Sequence, residues 1–108
     1  GLGQAAALAT LSGIGYYRRR FERTVRLRTR TSETLEALGL DVLPSQANFI
    51  FARPTGLSAF GWFQQLRDRN ILTRWFDSPK VRDWLRITIG TEGEMARFLT
   101  ATKSILRR

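Results

Sequence analysis

The sequence predicts an α+β fold: a small, mostly antiparallel sheet with helices packed on one face. Three observations predict it. Helix-period and strand-like runs follow one another in the order α, β, β, α, β, β, α. The three prolines, with Gly39, Gly56 and Gly90, fall between those runs. The chain has 108 residues, 43% hydrophobic and 11% aromatic, which is enough for one core and too rich for a disordered chain. One domain over residues 1–108 is expected, with N-terminal helices over 1–38 and a sheet-and-helix core over 41–108.

From Gln4 to Leu38 the composition favours helix, Ala and Leu first, then Arg and Glu. "SGIG" at Ser12 to Gly15 puts two glycines in four residues, so a short helix, a break and a long helix from about Tyr16 are expected. On the long helix Phe21, Val25, Ser32, Leu35 and Leu38 have the spacing of a buried stripe, and Gly39 is the stop. Asp41 to Leu43 reads as a short extended piece before Pro44. Asn48 to Arg53 reads as a strand closed by Pro54 and Gly56. Leu57 to Asn70 returns to helical spacing through Phe60, Phe63 and Leu66. Ile71 to Phe76 and Trp84 to Ile89 are the third and fourth strands, separated by the turn at Ser78-Pro79. Thr91 with Glu94 three positions on is a capping box, opening a helix whose apolar face is Met95, Phe98, Leu99, Thr102 and Leu106.

Composition excludes several chemistries. With no cysteine there is neither a disulfide nor a thiolate nucleophile. With no histidine the commonest general base and zinc ligand are both missing, and the nine acidic residues are scattered. No run approaches a membrane span, and the N-terminal residues lack a secretory lead-in, so a cytoplasmic protein is expected. The net charge of +9, carried almost wholly by arginine, makes an anionic partner plausible.

Two sets of arginines compete for that partner. "YYRRRFERTVRLRTR" packs seven arginines into one helix behind two tyrosines, the composition of a polyanion or RNA contact. They point all round the helix, and no recognition motif accompanies them, so a solvated face outweighs the binding module and nucleic acid is not the expected partner. The other set is two strand arginines. Arg86 in "WLRITIGT" alternates with Leu85 and Ile87, so it shares a face with Trp84 and Thr88. Arg74 in "LTRWF" lies beside two aromatic rings. Each is either an edge arginine that pairs with a local acid such as Asp83 or simply reaches solvent, or a planar fork aimed at a carboxylate or phosphate. Spacing alone leaves both readings open.

The combination "ILTRWFDSPKVRDWLRITIGTEGEM" resembles the C-terminal segment of histidinol-phosphate aminotransferases, pyridoxal-phosphate enzymes of the class I/II superfamily. Their strand "GILVRYF", a proline turn and "LRITIGT" with an acidic helix start follow in the same order. "PSQANFIF" is similar to the family's strand before it, and "RTVRLRTRTSETLEALGL" to the preceding helix. Threonine-phosphate decarboxylases share the NF strand and the second arginine; "RWF" followed by "RITIGT" favours the histidinol-phosphate group. Asn70 stands where the family has glycine, and Thr73 where valine is common.

The resemblance implies the fold of the small C-terminal domain of fold-type I aminotransferases. It implies that Arg86 binds the substrate's carboxylate or phosphate and that Arg74 is the second anion-binding arginine, with Ser45 and Asn48 structural. It implies no catalytic, cofactor-binding or metal residue in this chain. In the family the lysine that holds pyridoxal phosphate and the aspartate that pairs with its ring nitrogen lie in a large domain, which would precede residue 1. Lys80 and Lys103 match no family motif. The implied partners are that N-terminal large domain, a small anionic substrate and a second copy in a homodimer. The chain by itself is expected neither to hold the cofactor nor to transaminate.

Overall fold

A computed structural model describes residues 2–45 and 47–107, with side chains from residue 13 onward. Three helices and four strands occur in the order α1 (Leu2–Ala37), β1 (Asp41–Val42), β2 (Phe49–Arg53), α2 (Ala59–Asp68), β3 (Arg74–Trp75), β4 (Leu85–Thr88) and α3 (Glu92–Leu106). The sheet runs β1-β2-β4-β3 and every pairing in it is antiparallel. The α+β architecture expected from the sequence is therefore present.

All three helices lie against one face of the sheet. Ile50 and Ala52 of β2 and Leu85 and Ile87 of β4 point into the core and are buried, as strand alternation requires. Over them pack Leu27 and Leu35 of α1, Trp62 and Leu66 of α2, and Met95, Phe98 and Ile105 of α3. The indole N–H of Trp62 donates to the Thr102 hydroxyl at 3.2 Å, so the largest buried ring leaves no unpaired donor. No described helix covers the opposite face of the sheet.

The expected break at "SGIG" is absent: α1 continues through Ser12 to Gly15 as one helix of 36 residues. Two glycines weaken a helix by about 1 kcal/mol each relative to alanine, which flanking good helix formers offset. At 1.5 Å per residue such a helix spans roughly 54 Å, and it sets the 63 Å long axis of the molecule. Side chains 2–12 lie outside the described residues. The buried stripe also differs from the expected one. It is Leu27, Thr31 and Leu35, with Leu38 half-buried, while Phe21 is 63% exposed. The sheet and α3 cover only the C-terminal half of α1, and the stripe follows that contact rather than the earlier hydrophobics. In α2 the buried positions are Ala59, Trp62 and Leu66, not Phe60, which is exposed. In α3 the expected face holds, with Ala101 and Ile105 added to it.

Both helix ends before the sheet close in the same way. At the end of α1, Leu40 N–H donates to Leu35 C=O at 3.0 Å and Gly39 N–H to Glu36 C=O at 2.9 Å, with Gly39 at φ 95°. At the end of α2, Ile71 N–H donates to Leu66 C=O and Asn70 N–H to Arg67 C=O, both at 2.9 Å, with Asn70 at φ 62°. These are two Schellman motifs, each with its apolar pair in the core: Leu35 with Leu40, Leu66 with Ile71. The second motif absorbs Ile71, so the third strand shrinks from the expected Ile71–Phe76 to Arg74–Trp75. It also explains Asn70, since asparagine is the residue that best tolerates the left-handed region after glycine.

Candidate functional site

The helix-free face is built by alternation along β2 and β4. In "NFIFAR" the residues opposite to Ile50 and Ala52 are Phe49, Phe51 and Arg53; in "WLRIT" they are Trp84, Arg86 and Thr88. The register then joins them in rows. Phe51 pairs with Arg86, and Arg86 with Arg74, so one row runs Phe51, Arg86, Arg74 across three strands. Directly opposed residues of an antiparallel pair project to the same side, with Cα atoms about 4.5–5.5 Å apart. Arg74 and Arg86 therefore share a face, as facing neighbours.

Two like charges directly opposite each other destabilise a sheet. The structure shows how they are accommodated. The Arg86 guanidinium carbon lies 4.4 Å from the centroid of the Phe49 ring, and that of Arg74 5.7 Å from the Phe76 ring. Phe49 pairs with Thr88, two positions beyond Arg86, whereas Phe76 lies past the Trp75–Leu85 pair. The head groups thus lean toward opposite ends of β4, each onto its own ring.

Neither arginine forms an ion pair among the described residues, and Asp83 does not hold Arg86. The Arg86 Nε is buried with no hydrogen-bond partner among those residues. Arg53 on the same face is the contrast. Its Nε and terminal nitrogen both donate to Asp41 Oδ2, at 3.0 and 2.6 Å, and its guanidinium carbon sits 5.0 Å over Trp84. One arginine of this face is neutralised within the chain, and two are not. Beside Phe49 and Phe51 opens a cavity of about 430 Å³ lined also by Leu43, Pro44, Ser45 and Ala47. Ser45 Oγ accepts the Ala47 N–H at 3.3 Å and so shapes this loop from within. Asn48 fixes it through its backbone, whose C=O accepts from Ile89 N–H at 2.7 Å.

The arginine-rich helix offers no comparable arrangement. Arg28 donates to the Ala47 carbonyl, Arg30 to Glu92 at 3.1 Å, and Arg20 to the Tyr16 hydroxyl at 3.2 Å. Arg18, Arg19, Arg23 and Arg26 are exposed along α1. Sequence reading missed the contribution of Phe49 and the loop contact of Arg28. The alternation of "NFIFAR" carried a signal for Phe49; nothing local could reveal Arg28, whose partner is 19 residues away.

In the family a lysine holds pyridoxal phosphate, and the lysines of this sequence are Lys80 and Lys103. Both are exposed, Lys80 in the turn between β3 and β4 and Lys103 on α3. No group of three potential metal ligands occurs among the described residues, and no described helix is long and apolar enough to cross a membrane.

Comparison with known proteins agrees with this architecture. The family model "aminotransferase class I and II" matches residues 1–101. Histidinol-phosphate aminotransferase 2 of Psychrobacter arcticus is 41% identical over 104 residues, covering 96% of this chain and 28% of that protein. The histidinol-phosphate aminotransferase of Chromohalobacter salexigens is 41% identical over 102 residues, 94% of this chain and 29% of that one. The chain thus spans less than a third of the length of the curated relatives it matches. In fold, it superposes on the histidinol-phosphate aminotransferase of Sinorhizobium meliloti, solved with pyridoxal-5'-phosphate, with a TM-score of 0.80 at 24% identity, over 95% of this chain and 29% of that one. L-threonine-O-3-phosphate decarboxylase of Porphyromonas gingivalis superposes with a TM-score of 0.59 at 24% identity, over 77% of this chain and 28% of that one. The chain belongs to the class I and II aminotransferases, and its relatives within them are histidinol-phosphate aminotransferases.

Proposed function

We propose that this chain is the small, substrate-binding domain of a histidinol-phosphate aminotransferase, which moves an amino group between glutamate and imidazole-acetol phosphate. In this reading Arg86 and Arg74 take the anionic group of the substrate, a carboxylate from the amino donor or a phosphate from the acceptor. One observation carries it: two directly opposed arginines on the helix-free face, unpaired among the described residues while their neighbour Arg53 is paired. A dianion between them would relieve their repulsion and supply the acceptors that the guanidinium forks lack. Holding the anion at two points fixes the orientation of the rest of the substrate, an effect that contributes several kcal/mol in oriented reactions.

Pyridoxal phosphate supplies the electron sink for amino transfer in this family. This chain contributes no residue to hold it, so its place is the family's large N-terminal domain, the partner that would face the basic sheet surface. A homodimer of the complete enzyme and a cytoplasmic setting belong to the same proposal.

Titration of the isotope-labelled 108-residue chain with inorganic phosphate and with glutamate tests the anion site. The Arg74 and Arg86 side-chain resonances should move, and those of Arg53 should stay. If only the exposed arginines of α1 respond, or if single-stranded RNA binds tightly and salt-sensitively there, the substrate site is wrong and a polyanion-binding module takes its place.

A further inference from the structure

Resting on the proposed anion site, we propose that Phe49 is its positioning residue: its ring face fixes the plane of the Arg86 guanidinium before any ligand arrives. Three observations support this. The guanidinium carbon stands 4.4 Å from the Phe49 centroid, closer than in any other cation–ring pair among the described residues. Arg86 Nε is buried without a hydrogen-bond partner among those residues, so no acceptor there sets the rotation of the group. The ring does so instead, since a guanidinium stacks its plane on an aromatic face and keeps its terminal N–H groups free at the edges.

The ring and the backbone that carries it are held at three points. Phe51 meets it edge-on, with centroids 5.6 Å apart and planes at 89°. The carbonyl just before it, on Asn48, accepts from Ile89 N–H at 2.7 Å, and Arg28 of α1 clamps the Ala47 carbonyl one residue further back. A path of contacts therefore runs from α1 through the 47–49 backbone to the plane of Arg86. Pre-setting a flexible side chain in this way removes ordering cost at the moment of binding.

The test compares the 108-residue chain with its Phe49→Leu and Phe49→Tyr variants, reading the Arg86 Nε–H resonance without ligand and then the affinity for inorganic phosphate. A proton over a ring face is shifted upfield, so Phe49→Leu should move the Arg86 resonance downfield and leave Arg53 unchanged. Phosphate affinity should fall about three- to tenfold, the loss expected for one cation–π contact. Phe49→Tyr should restore both. An Arg86 resonance unmoved in Phe49→Leu, or an equal shift at Arg53, overturns the proposal. If Phe49→Leu does not fold, the unsubstituted chain decides: cross-relaxation between the Phe49 ring protons and Arg86 Nε–H supports the stacking, and its absence overturns it. A chain that shows the ring-dependent shift but binds no phosphate refutes the anion site while leaving the stacking intact.

Discussion

At Arg86 the cost of the native arrangement and its proposed use rest on the same features. A buried nitrogen without an acceptor is a debit of about 1–3 kcal/mol, and an opposed like charge adds to it. Residues of this kind persist where a ligand completes them. Substituting lysine keeps the charge and removes the planar fork, so Arg86→Lys in the complete enzyme should lower kcat/KM by roughly 10- to 100-fold, the worth of a charge-assisted bidentate contact. Melting temperature should change little. Steady-state kinetics with both substrates is the check, and wild-type kcat/KM in that variant removes Arg86 from the site. Arg53→Lys is the matched control: Asp41 already holds Arg53, and both side chains are at least half exposed, so catalysis should not respond. The alternation of "WLRIT" made the face of Arg86 legible in the sequence, and the resemblance supplied the role proposed for it. The pairing partner Arg74 was legible only as a neighbour of aromatics, because cross-strand register depends on where α2 ends and how the turn after β3 closes.

Helix ends were the most readable elements, since caps are written locally. Thr91 and Glu94 form the full box: Thr91 Oγ1 accepts from Glu94 N–H at 3.1 Å, and Glu94 Oε1 accepts from Thr91 N–H at 2.8 Å. That backbone hydrogen bond, first, and the Thr91 side chain, second, hold the Glu94 carboxyl below its ordinary value, against a small opposing effect of desolvation and with help from Arg97. A depressed acid stabilises the fold once pH is above its unfolded-state value, and that stability is lost as pH falls through the lower folded-state value. Denaturant melts from pH 7 down through the acidic range should therefore show α3 weakening at the acid end. Glu94→Gln keeps an acceptor for Thr91 N–H without a titrating group, so its pH profile should be flatter there; an identical profile sinks the capping contribution. Thr91→Ala should cost about 1 kcal/mol at every pH. Gly90 belongs to the same corner, because a Cβ there would collide with the Glu94 carboxylate. What the sequence hid was the break that did not form. Local propensity at "SGIG" argued for an interruption, yet flanking helix formers carried α1 through. The buried stripe of α1 was misread for a related reason. Periodicity says which residues line up, but only tertiary contact says which part of a long helix is covered. The left-handed Asn70 is read more simply: Asn70→Gly should be near-neutral, while Asn70→Val should cost about 1–2 kcal/mol in a urea melt, because a branched side chain is strained at φ 62°.

The whole molecule has one finished side and one that is chemically open. Its short edge strands β1 and β3, two residues each, limit sheet-to-sheet pairing. Its core is closed by three helices. The other face presents the exposed Leu43 beside Phe49, Phe51, Trp84 and the two arginines that are unpaired among the described residues. An apolar surface with cationic forks set into it suits a protein partner that brings a small anion between them, which is how the family's large domain would meet it. The expected division of labour follows from where the lysines are. Lys80 and Lys103 are both exposed, one in the turn before β4 and one on α3, so neither sits in an enclosed pocket that would hold its amine against a carbonyl. Stoichiometric pyridoxal phosphate added to the 108-residue chain should therefore give only the spectrum of the free cofactor, and borohydride should leave no label on either lysine. A stable new visible band, with a labelled lysine found by mass spectrometry, would place cofactor chemistry on this chain and reverse the assignment of roles between the two domains.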